Sequence, residues 1–97
     1  MGLFGKKEEI VPKVSDIFSD EDLQMINKVV GPKHAGKSYG KYGAMAATLM
    51  EVVKNPDSEY STREWRGIIY AAGVFTKVEP ELVPVLNEAI GKYKQFK

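Results

Sequence analysis

Gly31-Pro32-Lys33-His34-Ala35-Gly36-Lys37-Ser38 has the spacing G-x-x-x-x-G-K-S. In that pattern glycines let backbone amides approach a phosphate, and the lysine brings charge to it. The chemistry needs a buried strand feeding the loop, a helix opening at the lysine, and a remote carboxylate to hold magnesium. Here a capped amphipathic segment precedes the loop, Gly40 and Gly43 interrupt the turns after it, and no apolar run ends in Asp. A P-loop-like nucleotide binder is therefore the last of the readings that this stretch permits.

A softer anion chemistry fits the same residues. Lys33, His34, Lys37, Tyr39, Lys41 and Tyr42, with Lys28 before them, fall within residues 23–50, a span that has no Asp or Glu. Lysines would supply charge to phosphates, glycines would expose amides, and tyrosines would stack on bases. That makes residues 31–43 a candidate phosphate or single-stranded nucleic-acid contact, to be weighed against an ordinary solvated loop. His34 is the only histidine and has no carboxylate near it in sequence, which argues against a catalytic or metal role. No Ser/His/Asp spacing presents itself, so no catalytic residue and no cofactor are expected.

Asn55-Pro56-Asp57-Ser58-Glu59 sets oxygen ligands at alternating positions, as a calcium loop does. Tyr60 stands where the turn glycine belongs and Arg66 where the bidentate glutamate belongs, so a regular EF-hand is excluded. Asp57, Glu59 and Glu64 remain as the only metal candidates. Helix capping already explains Glu64.

The elements that must position these residues are helical. Ser61 and Glu64 have the spacing of a reciprocal capping box, and Tyr60 with Trp65 that of a hydrophobic staple. Trp65, Ile68, Ile69, Ala72 and Phe75 recur at helical spacing, while residues 67–75 are apolar nearly all round. The spacing predicts a central helix near 61–75, buried on most of its circumference. Ser19 caps a helix near 19–30 with Leu23, Ile26, Val29 and Val30 inward and Gly31-Pro32 as its stop. A helix near 43–54 ends at Asn55-Pro56, and one near 80–95 opens at Pro80, with Pro84 delaying or bending its start. Pro12 and the face Ile10, Val14, Ile17, Phe18 suggest a short helix near 11–18.

Composition bounds the function. The 97 residues carry a net charge of +1, so no global field steers the chain toward nucleic acid or membrane. With 43% hydrophobic and 28% charged residues, the chain is that of a globular protein rather than a disordered one. The absence of cysteine removes disulfides and thiolate chemistry and fits the cytoplasm. No apolar run approaches the ~20 residues of a membrane span. Residues 1–9 read as a flexible tail without the apolar core of a signal peptide, and Lys6 stands where a myristoylation motif has Ser or Thr. Residues 10–97 read as one helical domain.

One stretch resembles a known family. Asp57-Ser58-Glu59-Tyr60-Ser61-Thr62-Arg63-Glu64, between the apolar segments Ala44–Val53 and Trp65–Phe75 and before Val78-Glu79-Pro80-Glu81, is similar to the helix–acidic turn–helix unit of tellurite-resistance protein B (TerB-like) domains. The resemblance covers residues 44–90. Ser58 replaces the usual glycine of that turn, and the chain is shorter than a full domain of the family. The resemblance implies an all-helical, non-enzymatic module in stress-response or membrane-associated complexes.

The expectation from the sequence is an all-α domain of four main helices around the Trp65 helix, acting without catalysis by contact with another macromolecule. A protein partner is expected first, and a phosphate or nucleic-acid ligand at residues 31–43 second.

Overall fold

The computed structural model describes residues 11–96. The order is α1 Val14–Ile17, α2 Asp20–Ala35, α3 Gly43–Lys54, α4 Thr62–Val78 and α5 Val83–Phe96, with 3₁₀ turns at Gly40–Tyr42 and Pro80–Leu82. No strand occurs among the described residues, and the chain is all-α. The tail expected over residues 1–9 and the apolar Ile10 lie outside them.

Local chemistry sets the helix starts. Ser61 Oγ accepts from the Glu64 amide at 3.1 Å, and the Glu64 carboxylate accepts from the Ser61 amide at 2.8 Å. Ser19 and Asp22 repeat the exchange at the head of α2, at 3.0 and 3.1 Å. Each pair satisfies amide donors that a helix end leaves orphaned. The staple across the Ser61 cap is formed: the Tyr60 and Trp65 rings meet edge to face, with centroids 6.0 Å apart. Pro80 and Pro84 delay the last helix, since a 3₁₀ turn comes first and α5 starts at Val83.

Two boundaries differ from the sequence reading. α1 is a single turn, Val14–Ile17, because the Pro12 carbonyl turns inward and accepts from Trp65 Nε1 at 3.0 Å. The second concerns α2, which does not stop at Gly31-Pro32. It continues through Pro32 to Ala35, where His34 and Pro32 carbonyls accept from the Gly36 amide. An internal proline loses one helical hydrogen bond and crowds the preceding turn. The last turn is nonetheless anchored from outside, by Lys33 Nζ donating to the Glu79 carboxylate at 2.7 Å. At Gly31 a Cβ would lie 3.1 Å from Asn27 Oδ1 of the same helix and in ordinary contact, 3.7 Å, with Met50 Cε of α3, so the Asn27 side chain is what a larger residue would have to displace.

The core joins all five helices. Trp65, Phe75, Phe18, Ile17 and Leu86 are fully enclosed, and the Trp65 ring stacks on Tyr93 with centroids 5.9 Å apart. α4 lies between α3 and α5, α1 packs on α5, and α2 lies chiefly on α3 and on the Pro80–Leu82 turn. The inner faces are those the periodicity marks, with Leu23, Ile26 and Val30 buried on α2 and Leu86, Ala89 and Tyr93 on α5. α4 is buried on part of its circumference, with one side open within the run that the sequence reads as apolar nearly all round. Tyr70 is 65% exposed, and Gly67 is exposed three residues before it.

Candidate interaction face

The basic residues of 31–43 do not form one open anion site. Lys33 lies in the last turn of α2 and is paired with Glu79, whose carboxylate also accepts from the Tyr39 hydroxyl at 2.8 Å. Tyr39 is 9% exposed, and its ring packs edge to face on Phe75 with centroids 5.1 Å apart. It has no free face on which a base could stack, which corrects its assignment as a stacking residue. Burial, then the hydrogen bond to Glu79, then the Glu79 charge hold the Tyr39 hydroxyl well above the ordinary tyrosine range. Burial pushes the Glu79 carboxyl upward, but hydrogen bonds from Lys33 and Tyr39 and the Lys33 charge outweigh it and hold it below the ordinary carboxylate range. Tyr39, Lys33 and Glu79 thus tie the α2 terminus to the α4 terminus. This is structural work.

Of the remaining basic-loop residues, Lys37 and Lys41 are exposed, while His34 and Tyr42 are half-buried. The Lys41 ammonium lies 5.4 Å from the Tyr42 ring centroid. The segment from Gly31 to Ala35 is helix where a phosphate cradle is open loop, and the Gly36 φ of −82° is unexceptional. The nucleotide-cradle geometry is absent from these residues.

Asp57 and Glu59 are exposed on the α3–α4 turn, and one Glu64 oxygen is engaged in the Ser61 cap. Among the described residues no three His, Cys, Asp or Glu side chains gather as metal ligands do. The same turn overlooks a cleft of about 680 Å³, walled by Val11, Pro12, Val14, Phe18 and Leu23 on its other side.

The feature that sequence reasoning missed is the outer face of the α3–α4 hairpin. α3 and α4 form a hairpin, and two separate hollows lie where they meet. One, toward the turn, is a hollow of about 410 Å³ lined by Ala47, Thr48, Tyr60, Gly67 and Ile68 and edged by Glu51 and Glu64. At the other end lies a hollow of about 540 Å³ among Tyr42, Met45, Val74 and Gly73, edged by Lys77. Tyr70 lines this second hollow. Arg63, Arg66, Tyr70 and Lys77 share the exposed crest of α4 by helical spacing. No ion pair among the described residues reaches those three cations. A signal was present in the sequence: Gly67, Tyr70, Val74 and Lys77 recur at intervals of three and four, so one side of α4 carries glycine, tyrosine and charge where its inner side carries Trp65, Ile68, Ala72 and Phe75.

The glycines make that face costly to the isolated chain. A Cβ at Gly67 or Gly73 would meet nothing within 4 Å, so no packing inside the molecule requires glycine there. Mid-helix glycine costs roughly 0.5–1 kcal/mol relative to alanine. Gly67→Ala should therefore raise stability by about 0.5–1 kcal/mol in urea denaturation. A destabilised variant would show that the backbone at Gly67 is constrained in a way that its open surroundings do not reveal.

No protein-family model, curated protein sequence or solved structure matches this chain. The functional reading of the face rests on its own geometry.

Proposed function

We propose that this protein is a small, non-catalytic helical interaction module, of a kind with the TerB-like units it resembles, working in the cytoplasm. Its contact surface is the outer face of α3 and α4. The observation that carries this reading is Tyr70, a large aromatic side chain 65% exposed on the wall of an apolar hollow at the α3–α4 face. An exposed tyrosine beside an open apolar hollow is the composition of a binding anchor. Glycines that stabilise nothing inside the molecule add support, because they keep the hollows open.

The test is photo-crosslinking in the cells the protein comes from. Benzoylphenylalanine replaces Tyr70 in one version and the exposed Gln24 of α2 in another. A discrete adduct from position 70 and none from position 24 is the expected result. Equal background from both positions rejects the reading.

A second reading keeps phosphate or single-stranded nucleic acid as ligand. It is favoured by the exposed Lys28, Lys37 and Lys41 in a span free of carboxylates from 23 to 50. It has lost Tyr39 and Lys33 to Glu79 and retains only cations plus Tyr42. Titration of a labelled oligonucleotide at two salt concentrations decides it: a steep salt slope lost on substituting Lys37 and Lys41 supports it, and no binding at low salt removes it.

A further inference from the structure

The exposed side of α4 carries positive charge that nothing within the domain pairs. We infer that the hollow lined by Tyr70 receives an acidic, amphipathic segment of a partner protein, its apolar side chain in the hollow and its carboxylates on the surrounding cations. The inference rests on the reading of this face as a contact surface and names the chemistry of its partner.

The hollow sets where the anchor goes. Its volume is about 540 Å³, and Met45, Val74, Val78 and the Tyr42 and Tyr70 rings line it. Such a lining offers chiefly apolar contact, which suits a leucine or an aromatic ring. Gly73 on its wall leaves room that a side chain would take, since a Cβ there would meet nothing within 4 Å.

Charge sets what surrounds the anchor. Arg63, Arg66 and Lys77 share the exposed side of α4 with Tyr70, and Lys41 stands beside Tyr42. Arg66 lies four residues before Tyr70, and Arg63 and Lys77 lie seven residues to either side of it. Along the helix these cations therefore fall about 6 and 10 Å from the ring. No ion pair among the described residues reaches any of them or Lys41. Arg63 and Arg66, three residues apart, are like charges on neighbouring turns and disfavour the isolated helix slightly. A carboxylate set between them removes that repulsion and gains a charge-assisted partner. The acidic residues of the face, Glu51 and Glu64, edge the other hollow and bond within their own turns. Glu64 accepts from the Ser61 amide at 2.8 Å, and Glu51 accepts from Asn55 Nδ2 at 2.9 Å. Around Tyr70 the face is thus positive, although the whole chain carries only +1.

Other anionic surfaces fit less well. A bilayer takes apolar groups that project, whereas here the apolar lining, Tyr70 apart, is recessed. A run of phosphates long enough to reach every cation would pass Glu64, whose charge opposes it. A peptide places carboxylates only where the cations stand.

The experiment selects a displayed library of random peptides on the immobilised full chain, with the Tyr70→Asp chain as counter-target. Peptides kept by the wild type alone are expected to hold one large apolar residue with Asp or Glu on both sides of it. An enriched set without acidic residues, or no enrichment over Tyr70→Asp, overturns the inference. The most enriched peptide, labelled with fluorescein, is then titrated against the Arg66→Glu, Lys77→Glu double variant. Both positions are exposed, and changing them breaks no ion pair. Affinity should fall by about 10-fold or more. The same peptide with its acids replaced by lysine should prefer the double variant to the wild type. Unchanged affinity, or no such exchange of preference, overturns the inference. Should that variant fail to fold by circular dichroism, Arg63→Glu with Lys77→Glu reads the same loss. Vesicles of phosphatidylserine in phosphatidylcholine and an oligothymidylate are the competing probes. Either one binding the wild type more tightly than the peptide does would overturn the inference in favour of a bilayer or a nucleic acid. A discrete adduct from position 70 with no acidic peptide enriched would leave the face a contact surface whose partner is not acidic. Absence of both removes the face altogether.

Discussion

Replacing Trp65 with alanine should cost about 3–5 kcal/mol, the range for emptying a buried large aromatic site. A domain of this size has roughly 5–15 kcal/mol of total stability, so much of the population would unfold near physiological temperature. Three separate losses combine at this residue. Its ring is fully enclosed, it carries the staple to Tyr60 and the stack on Tyr93, and its Nε1 donates to the Pro12 carbonyl at 3.0 Å. That last bond crosses 53 residues of chain and holds the segment before α1 against α4. Trp65→Phe keeps most of the apolar volume but orphans the carbonyl, at a cost of about 1–3 kcal/mol. Urea denaturation followed by circular dichroism measures both. A Trp65→Ala variant within about 1 kcal/mol of wild type would contradict its place at the centre of the core.

Glu79→Ala should cost about 2–3 kcal/mol, because it strands the buried Tyr39 hydroxyl and releases Lys33. The Lys33 side chain is 54% exposed and can return to water, so most of the loss falls on Tyr39 and on the docking of the α2 terminus. Glu79→Gln keeps an acceptor for Tyr39 and should lose less. The pH dependence has a definite sign. The Glu79 carboxyl is held below its ordinary value of 4.5 in the folded chain, so its contribution is present above that value and fades as pH falls through the lower folded value. The stability gap between wild type and Glu79→Gln should therefore narrow in acid. The Tyr39 hydroxyl is raised above its ordinary value of 10.0, so its contribution holds below that pH and is lost as pH rises through the higher folded value. A gap that does not shrink as the pH is lowered through the carboxylate range would contradict the role assigned to Glu79.

Much of the fold was legible in the sequence because it is written in local rules. Ser61 with Glu64 and Tyr60 with Trp65 announce the start of α4 within six residues, and the structure forms both pairs. Inward stripes such as Leu23, Ile26 and Val30 come from helical period alone. The features that escaped are non-local. Pro32 reads as a stop, and nothing within a turn of it reveals that Glu79, 46 residues after Lys33, holds that turn in place. Tyr39 looks like an exposed stacking ring for the same reason: its carboxylate partner is 40 residues away. Tyr70 failed in the opposite sense. Glycine and alanine carry no signal of inside or outside, so the run from 67 to 75 reads as apolar nearly all round and does not mark which side stays open. Only the packing of α3 and α5 against two sides of α4 leaves its third side open.

On the function proposed for it, the open side of α4 is covered by another molecule in the cell. Hydroxyl-radical footprinting measures this directly, comparing the protein in its native cells with dilute purified protein. Trp65 should be protected in both states, and Tyr70 should react freely when dilute and be strongly shielded in the cell. Equal reactivity of Tyr70 in the two states would contradict the account.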